Sequence, residues 1–234
     1  MTQASPGRPR SGAVVATVLA RRNPEGRYGL LLLVLIASYV LSAFNRRPVV
    51  TDLQIAFFLA VLLLALHASQ LPRWLTRLAI AVALAGSAAA LGVALTGTAD
   101  GLGAADLWKG FTLLVTVVLI VRRILAKPTV TIQSIYGALS AYIIIGLMFA
   151  AFYAAIGHLG GAPFFADNQP ANPQTFQYFS FTTLTTLGYG DFTAAANSAR
   201  AIAVMEALAG QIFLATLVAR LVAAFRVSAE PPDK

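Results

Sequence analysis

The stretch Thr185-Thr186-Leu187-Gly188-Tyr189-Gly190-Asp191 carries the residue types and spacing that could do chemistry, and that chemistry belongs to the backbone. Glycine at Gly188 and Gly190 reaches angles closed to other residues, so successive carbonyls can point to one side instead of alternating as in a strand. Four such strands around an axis would stack rings of oxygens that replace the hydration shell of a potassium ion. Side chains elsewhere offer little. The 234 residues include no cysteine and two histidines, His67 and His158, which removes disulfides, thiolate metal sites and thiol nucleophiles and leaves no basis for a zinc centre. No enzyme activity and no cofactor are expected, and neither histidine is assigned a role.

The residues before this stretch must deliver it to its place. Asn172 suits a helix N-cap and Pro173 the first helical position. A helix over 173–184 would be about 18 Å long at 1.5 Å per residue, too short to cross a hydrocarbon core of about 30 Å. It must enter and return. Non-helical backbone at membrane depth is tolerated only where protein buries it or where it lines an aqueous path, so 185–191 needs a hydrophilic purpose. The half-helix would aim the negative end of its dipole at the axis, favouring a cation there.

Thr186 to Asp191 resembles the selectivity-filter signature of potassium channels, threonine-x-glycine-tyrosine-glycine-aspartate, and the order helix, half-helix, filter, helix from about Ser134 to Phe225 is similar too. The resemblance is to the bacterial six-helix type with a two-helix pore domain. It implies that the carbonyls of Thr186, Leu187, Gly188 and Tyr189, with the Thr186 hydroxyl, hold the permeant K+. It also implies that Tyr189 braces the filter against the pore helix, that Asp191 sits at the outer mouth, and that Thr185 begins the filter. Leu187 stands where valine or isoleucine is usual. At Thr182 some relatives carry a glutamate that pairs with the filter aspartate, and that carboxylate pair is missing here. Gly210, within Met205-Glu206-Ala207-Leu208-Ala209-Gly210-Gln211, occupies the gating-hinge position of the inner helix; its plainer reading is a small residue for close helix contact.

The elements that must position these groups are read from composition and runs. Hydrophobic residues make up 58% and charged residues 11%, and the mean hydropathy of +0.76 is that of a membrane protein. Six stretches approach the roughly 20 residues that a span needs: 28–44, 53–71, 74–95, 107–125, 134–156 and 199–225. The expected fold is therefore an all-α membrane protein of six transmembrane helices plus one re-entrant pore helix and filter, assembling as a tetramer. Its parts are an N-terminal cytoplasmic segment (1–27), a four-helix sensor-like domain (28–127), a pore domain (128–226) and a short tail (227–234). Residues 12–20, bounded by arginines, read as a short cytoplasmic or interfacial helix rather than a signal peptide. With both ends inside, Arg46, Arg47, Lys109 and Arg200 face out, and the remaining 13 of the 17 lysines and arginines face the cytoplasm. With no targeting signal read and a short format, a prokaryotic plasma membrane is expected. The net charge of +8 is spread between apolar runs as topology anchors, which points away from nucleic acid.

Four helices before a pore suggest a voltage sensor, but the fourth carries Lys109, Arg122, Arg123 and Lys127 at the wrong intervals, with no charge over 110–121. Little voltage dependence is expected. In the sixth span Gln211 is hard to place against lipid and is expected to face a water-filled cavity, with Leu214, Val218 and Val222 on the same stripe. Glu206, the only carboxylate inside a predicted span, then turns away from the ion path toward the back of the pore helix. Thr182 or Thr183 would be its partners, with the carboxyl either protonated or held by several donors. Tyr178, Thr182, Thr183 and Glu206 are thus read as pore support. The partners implied are the lipid bilayer and three identical subunits. A cation-transporter subunit and a non-conducting assembly protein are the alternatives.

Overall fold

Polar caps at three positions set where the helices begin in the computed structural model, which describes residues 27–44, 62, 73–126 and 129–229. In chain order the elements are α1 (Arg27–Phe44), α2 (Arg73–Ala94), α3 (Ala99–Leu125), α4 (Ile132–Leu159), a 3-10 turn (Ala166–Asn168), α5 (Pro173–Leu184) and α6 (Asn197–Ala229). Among the described residues the only β pairing is one bridge between Phe165 and Ala194. Among the described residues four stretches are long and apolar enough to cross a membrane: 76–94, 99–125, 132–159 and 197–223. The helix α1, Arg27–Phe44, covers the first expected span, 28–44. The expected second span, apart from Leu62, and the expected interfacial segment 12–20 lie outside the described residues.

The sequence places the fourth span at 107–125, after a loop at 97–103; the structure starts α3 eight residues earlier, at Ala99. Thr98 supplies the reason, because its side chain accepts from the Gly101 amide and caps the helix at that point. Gly97 stays in the loop with φ +68°, as expected, but Gly101 and Gly103 fall inside α3. Gly103 packs against Leu159. Thr131 and Ser134 form a capping box that starts α4 at Ile132, two residues before the expected Ser134. At the other end α4 continues past the expected Ile156 to Leu159. Likewise α6 outruns the expected 199–225 at both ends.

The helix α4 is the centre of the molecule, packing on α1, α3, α5 and α6. Lipid tails are as apolar as leucine, so helices associate through close packing and polar contacts rather than through hydrophobic transfer. Bulky rings seated on glycines show how this is done: Phe152 of α4 lies against Gly110 of α3, and Phe181 of α5 lies against Gly146 of α4. Leu35, Leu113, Ile144 and Leu184 are fully buried in the same cluster. A second, aromatic cluster of Tyr153, Phe164, Phe165, Phe176 and Phe179 joins α4 and α5 to the segment between them. Near the start of α3, the buried Asp106 pairs with Lys109 one turn on and lies 2.9 Å from Nδ1 of His158 on α4. Asp106 and Lys109 were expected at the outer face and His158 was given no role; the structure makes them a polar bridge between α3 and α4.

Candidate functional site

A capping box starts the half-helix. The Asn172 side chain accepts from the Thr175 amide at 3.0 Å, and Thr175 Oγ1 takes the Asn172 amide at 2.9 Å. With Pro173 at its first position, α5 covers the expected 173–184. Its last carbonyls do not go unpaired. Leu184 O accepts from the Tyr142 hydroxyl at 3.2 Å, while Thr183 O takes the Thr186 amide and Thr182 O takes those of Leu187 and Gly188.

The stretch 185–190 alternates in hand. Thr185 has φ −82°, whereas Thr186, Gly188 and Gly190 have φ of +58°, +47° and +77°, with Leu187 and Tyr189 negative between them. Alternating left- and right-handed residues turn successive peptide planes the same way. Here the amides of 186–188 turn back to α5. Among the described residues no donor reaches the carbonyls of Thr186, Leu187, Gly188 or Tyr189, so the oxygens are left for another ligand. The sequence located the alternation at the two glycines. The structure adds Thr186, a non-glycine residue held at a conformation that costs on the order of 1 kcal/mol or more.

The Asp191 end of this strand is tied down by side chains. The Tyr178 hydroxyl donates to Asp191 Oδ2 at 2.7 Å, the Phe192 amide donates to Oδ1 at 3.1 Å, and Gln169 Nε2 donates to the Asp191 carbonyl at 2.5 Å. The hydrogen bond to Asp191 raises the Tyr178 hydroxyl above its ordinary value, to about 12. Tyr178 was expected to serve as support for the strand. It does touch Phe192, and it also supplies the partner of the aspartate that a glutamate at Thr182 would have supplied. Tyr189 is 67% exposed in the single chain, which gives it no hydrogen bond or ring partner among the described residues.

Behind the half-helix lies Glu206, fully buried. It faces α5, but its partners are not the expected threonines. Ser180 Oγ is 2.5 Å from Oε1, and the Tyr153 hydroxyl donates to Oε2 at 2.6 Å. Thr182 Oγ1 instead bonds the Phe179 carbonyl at 3.0 Å, and Thr183 contributes its carbonyl rather than its hydroxyl. Helix phase sets Thr182 about 200° from Ser180, whereas Thr183 shares the side of Ser180 but sits one turn further along α5. Ser180, Tyr153, Tyr142 and Gln169 are the site residues that sequence reasoning missed. Only Ser180, a polar residue on an otherwise aromatic stretch of a buried half-helix, carried a local signal.

On α6, Gln211 Nε2 comes within 3.5 Å of Thr186 Oγ1, which brings it to the Thr186 end of the strand. Leu214 is half-buried and Val218 and Val222 are exposed. Gly210 is buried against the end of α5: a Cβ there would stand 2.5 Å from the Leu184 carbonyl oxygen. The helix runs unbroken through it.

Residues 141–227 match the family model described as an ion channel, from the middle of α4 through the strand and along α6. The match supports an ion channel domain over that part of the chain and, with the apolar helices, a multi-pass membrane protein. No curated protein and no solved structure matches the chain.

Proposed function

We propose that this chain is the subunit of a homotetrameric, potassium-selective channel of the six-helix type, conducting K+ passively with little voltage dependence. The alternation of hand over 185–190, which leaves four successive carbonyls without a donor, carries the reading. One strand offers one wall of oxygens, and four copies around an axis close the rings that replace a hydration shell. In this reading Thr186, Leu187, Gly188 and Tyr189 hold K+, Gln211 wets the cavity beneath, and Leu214, Val218 and Val222 line the path below it. Gly210 is the point about which α6 bends when the path opens. The membrane is the plasma membrane, with both termini cytoplasmic. Recording from purified protein in planar bilayers, with potassium on one side and sodium on the other, tests it. Single-channel currents that reverse near the potassium equilibrium potential are expected; equal permeability to both ions, or no unitary current, would overturn it.

A further inference from the structure

Three short contacts meet at Ser180 and Glu206, and the protons available decide which of them can be hydrogen bonds. The Tyr153 hydroxyl is 2.6 Å from Glu206 Oε2, Ser180 Oγ is 2.5 Å from Oε1, and the same Ser180 oxygen is 2.7 Å from the Gly146 carbonyl. Each contact joins two oxygens and needs one proton between them. Tyrosine supplies one and serine one. Were Glu206 ionised, serine would have to choose. If it turned to the carboxylate, its lone pairs would press on the Gly146 carbonyl; if it turned to Gly146, they would press on the carboxylate.

A third proton on Glu206 removes the conflict. The carboxylic acid donates from Oε1 to Ser180 Oγ, serine donates to the Gly146 carbonyl, and Tyr153 donates to Oε2. Every contact is then a donor facing an acceptor, and a fully buried site has no net charge to desolvate. We infer that Glu206 is a neutral carboxylic acid whose proton is given to Ser180, and that the resulting chain of bonds pins the pore helix between α6 and the backbone of α4. The fold is shaped for it. Gly146 bears no side chain under Phe181, so α5 comes close enough to α4 for the adjacent Ser180 to reach a main-chain carbonyl. Glu206 thereby acts through Ser180 as a positioning residue for the strand that α5 holds by the Thr182 and Thr183 carbonyls.

Glutamine is the informative substitute. Its amide nitrogen can donate to Ser180 where the acid does, and its carbonyl can accept from Tyr153, so Glu206→Gln reproduces the neutral acid and not the carboxylate. In infrared difference spectra of wild type against Glu206→Gln at neutral pH, a carbonyl stretch of a protonated carboxylic acid should be present in wild type and lost in the variant. Loss of carboxylate bands alone would overturn the proposal. In bilayers, Glu206→Gln should conduct as the parent does. Glu206→Val and Ser180→Ala, which strand a buried partner, should lose roughly tenfold or more of the current. A glutamine variant as impaired as the valine variant would overturn the supporting role. The current measurements rest on the channel reading above, whereas the infrared band does not, so a silent parent protein would count against the former while the spectrum still decides the latter.

Discussion

At Gly188 an added Cβ would meet nothing within 4 Å in its own chain, so what forbids a side chain there is the angle and not the space. A φ of +47° costs an L-residue on the order of 1–2 kcal/mol, and relief by a flip of the peptide plane would take one carbonyl out of the row. Gly188→Ala is therefore expected to abolish potassium selectivity, read as the shift of reversal potential under potassium against sodium; unchanged selectivity would refute the filter assignment. Asp191 poses a different residue-scale question. Tyr178 donates to its carboxylate in an exposed position, where a single hydrogen bond is worth about 0.5–1.5 kcal/mol. Tyr178→Phe keeps the ring against Phe192 and removes only that bond, so it should leave selectivity intact and hasten the decline of current during sustained opening. A current as steady as that of wild type would show that Gln169 and the Phe192 amide suffice to hold the aspartate.

At the scale of elements, the end of α5 is where three helices converge on one carbonyl. Leu184 O takes the Tyr142 hydroxyl from α4 and faces Gly210 of α6. Gly210→Ala would set a methyl group 2.5 Å from that oxygen, forcing α6 away from the pore helix. Overpacking of this kind costs roughly 1–3 kcal/mol, so lower thermal stability and smaller current are expected together. An alanine variant with the parent's stability would show that the helices yield without cost. This convergence also shows what the sequence could reveal. The half-helix over 173–184 was legible because Asn172 and Pro173 are local signals acting within one turn, and the strand after it because glycine spacing is local as well. The start of α3 was misplaced because glycine punctuates a soluble chain but serves as a contact surface between membrane helices, a distinction that depends on Leu159 being opposite Gly103. Glu206 was correctly turned toward the pore helix by counting helical angle from Gln211. Its partner was missed because the phase of α5 against α6 is fixed by Phe181 settling on Gly146, a tertiary fact with no local trace.

At the scale of the whole molecule, α4 joins two bodies of unequal character: α1, α2 and α3 on one side, and the half-helix and α6 on the other. In the most apolar window of α6 only 11% is buried, against 61% for α4, so α6 has its packing surface still to fill with lipid and, on the proposed reading, with other copies of the chain. The remaining question is whether the first body can sense voltage and pull on the second. One elementary charge carried through 100 mV yields about 2.3 kcal/mol, so a steep response needs several charges per subunit that travel through the field. On α3 the Asp106 and Lys109 charges pair with each other, and the next cations are Arg122 and Arg123, beyond the uncharged stretch 110–121. At 1.5 Å per residue that gap is about 20 Å, most of the hydrocarbon core. Sliding α3 by one turn would move the two arginines through a small part of the field and would pull Asp106 from His158 and Gly110 from Phe152. The helix is built to stay. Conductance plotted against voltage is expected to rise far less steeply than in a channel with three or four gating charges per subunit, and a slope of that steepness in planar bilayers would show that α3 moves in spite of its anchors.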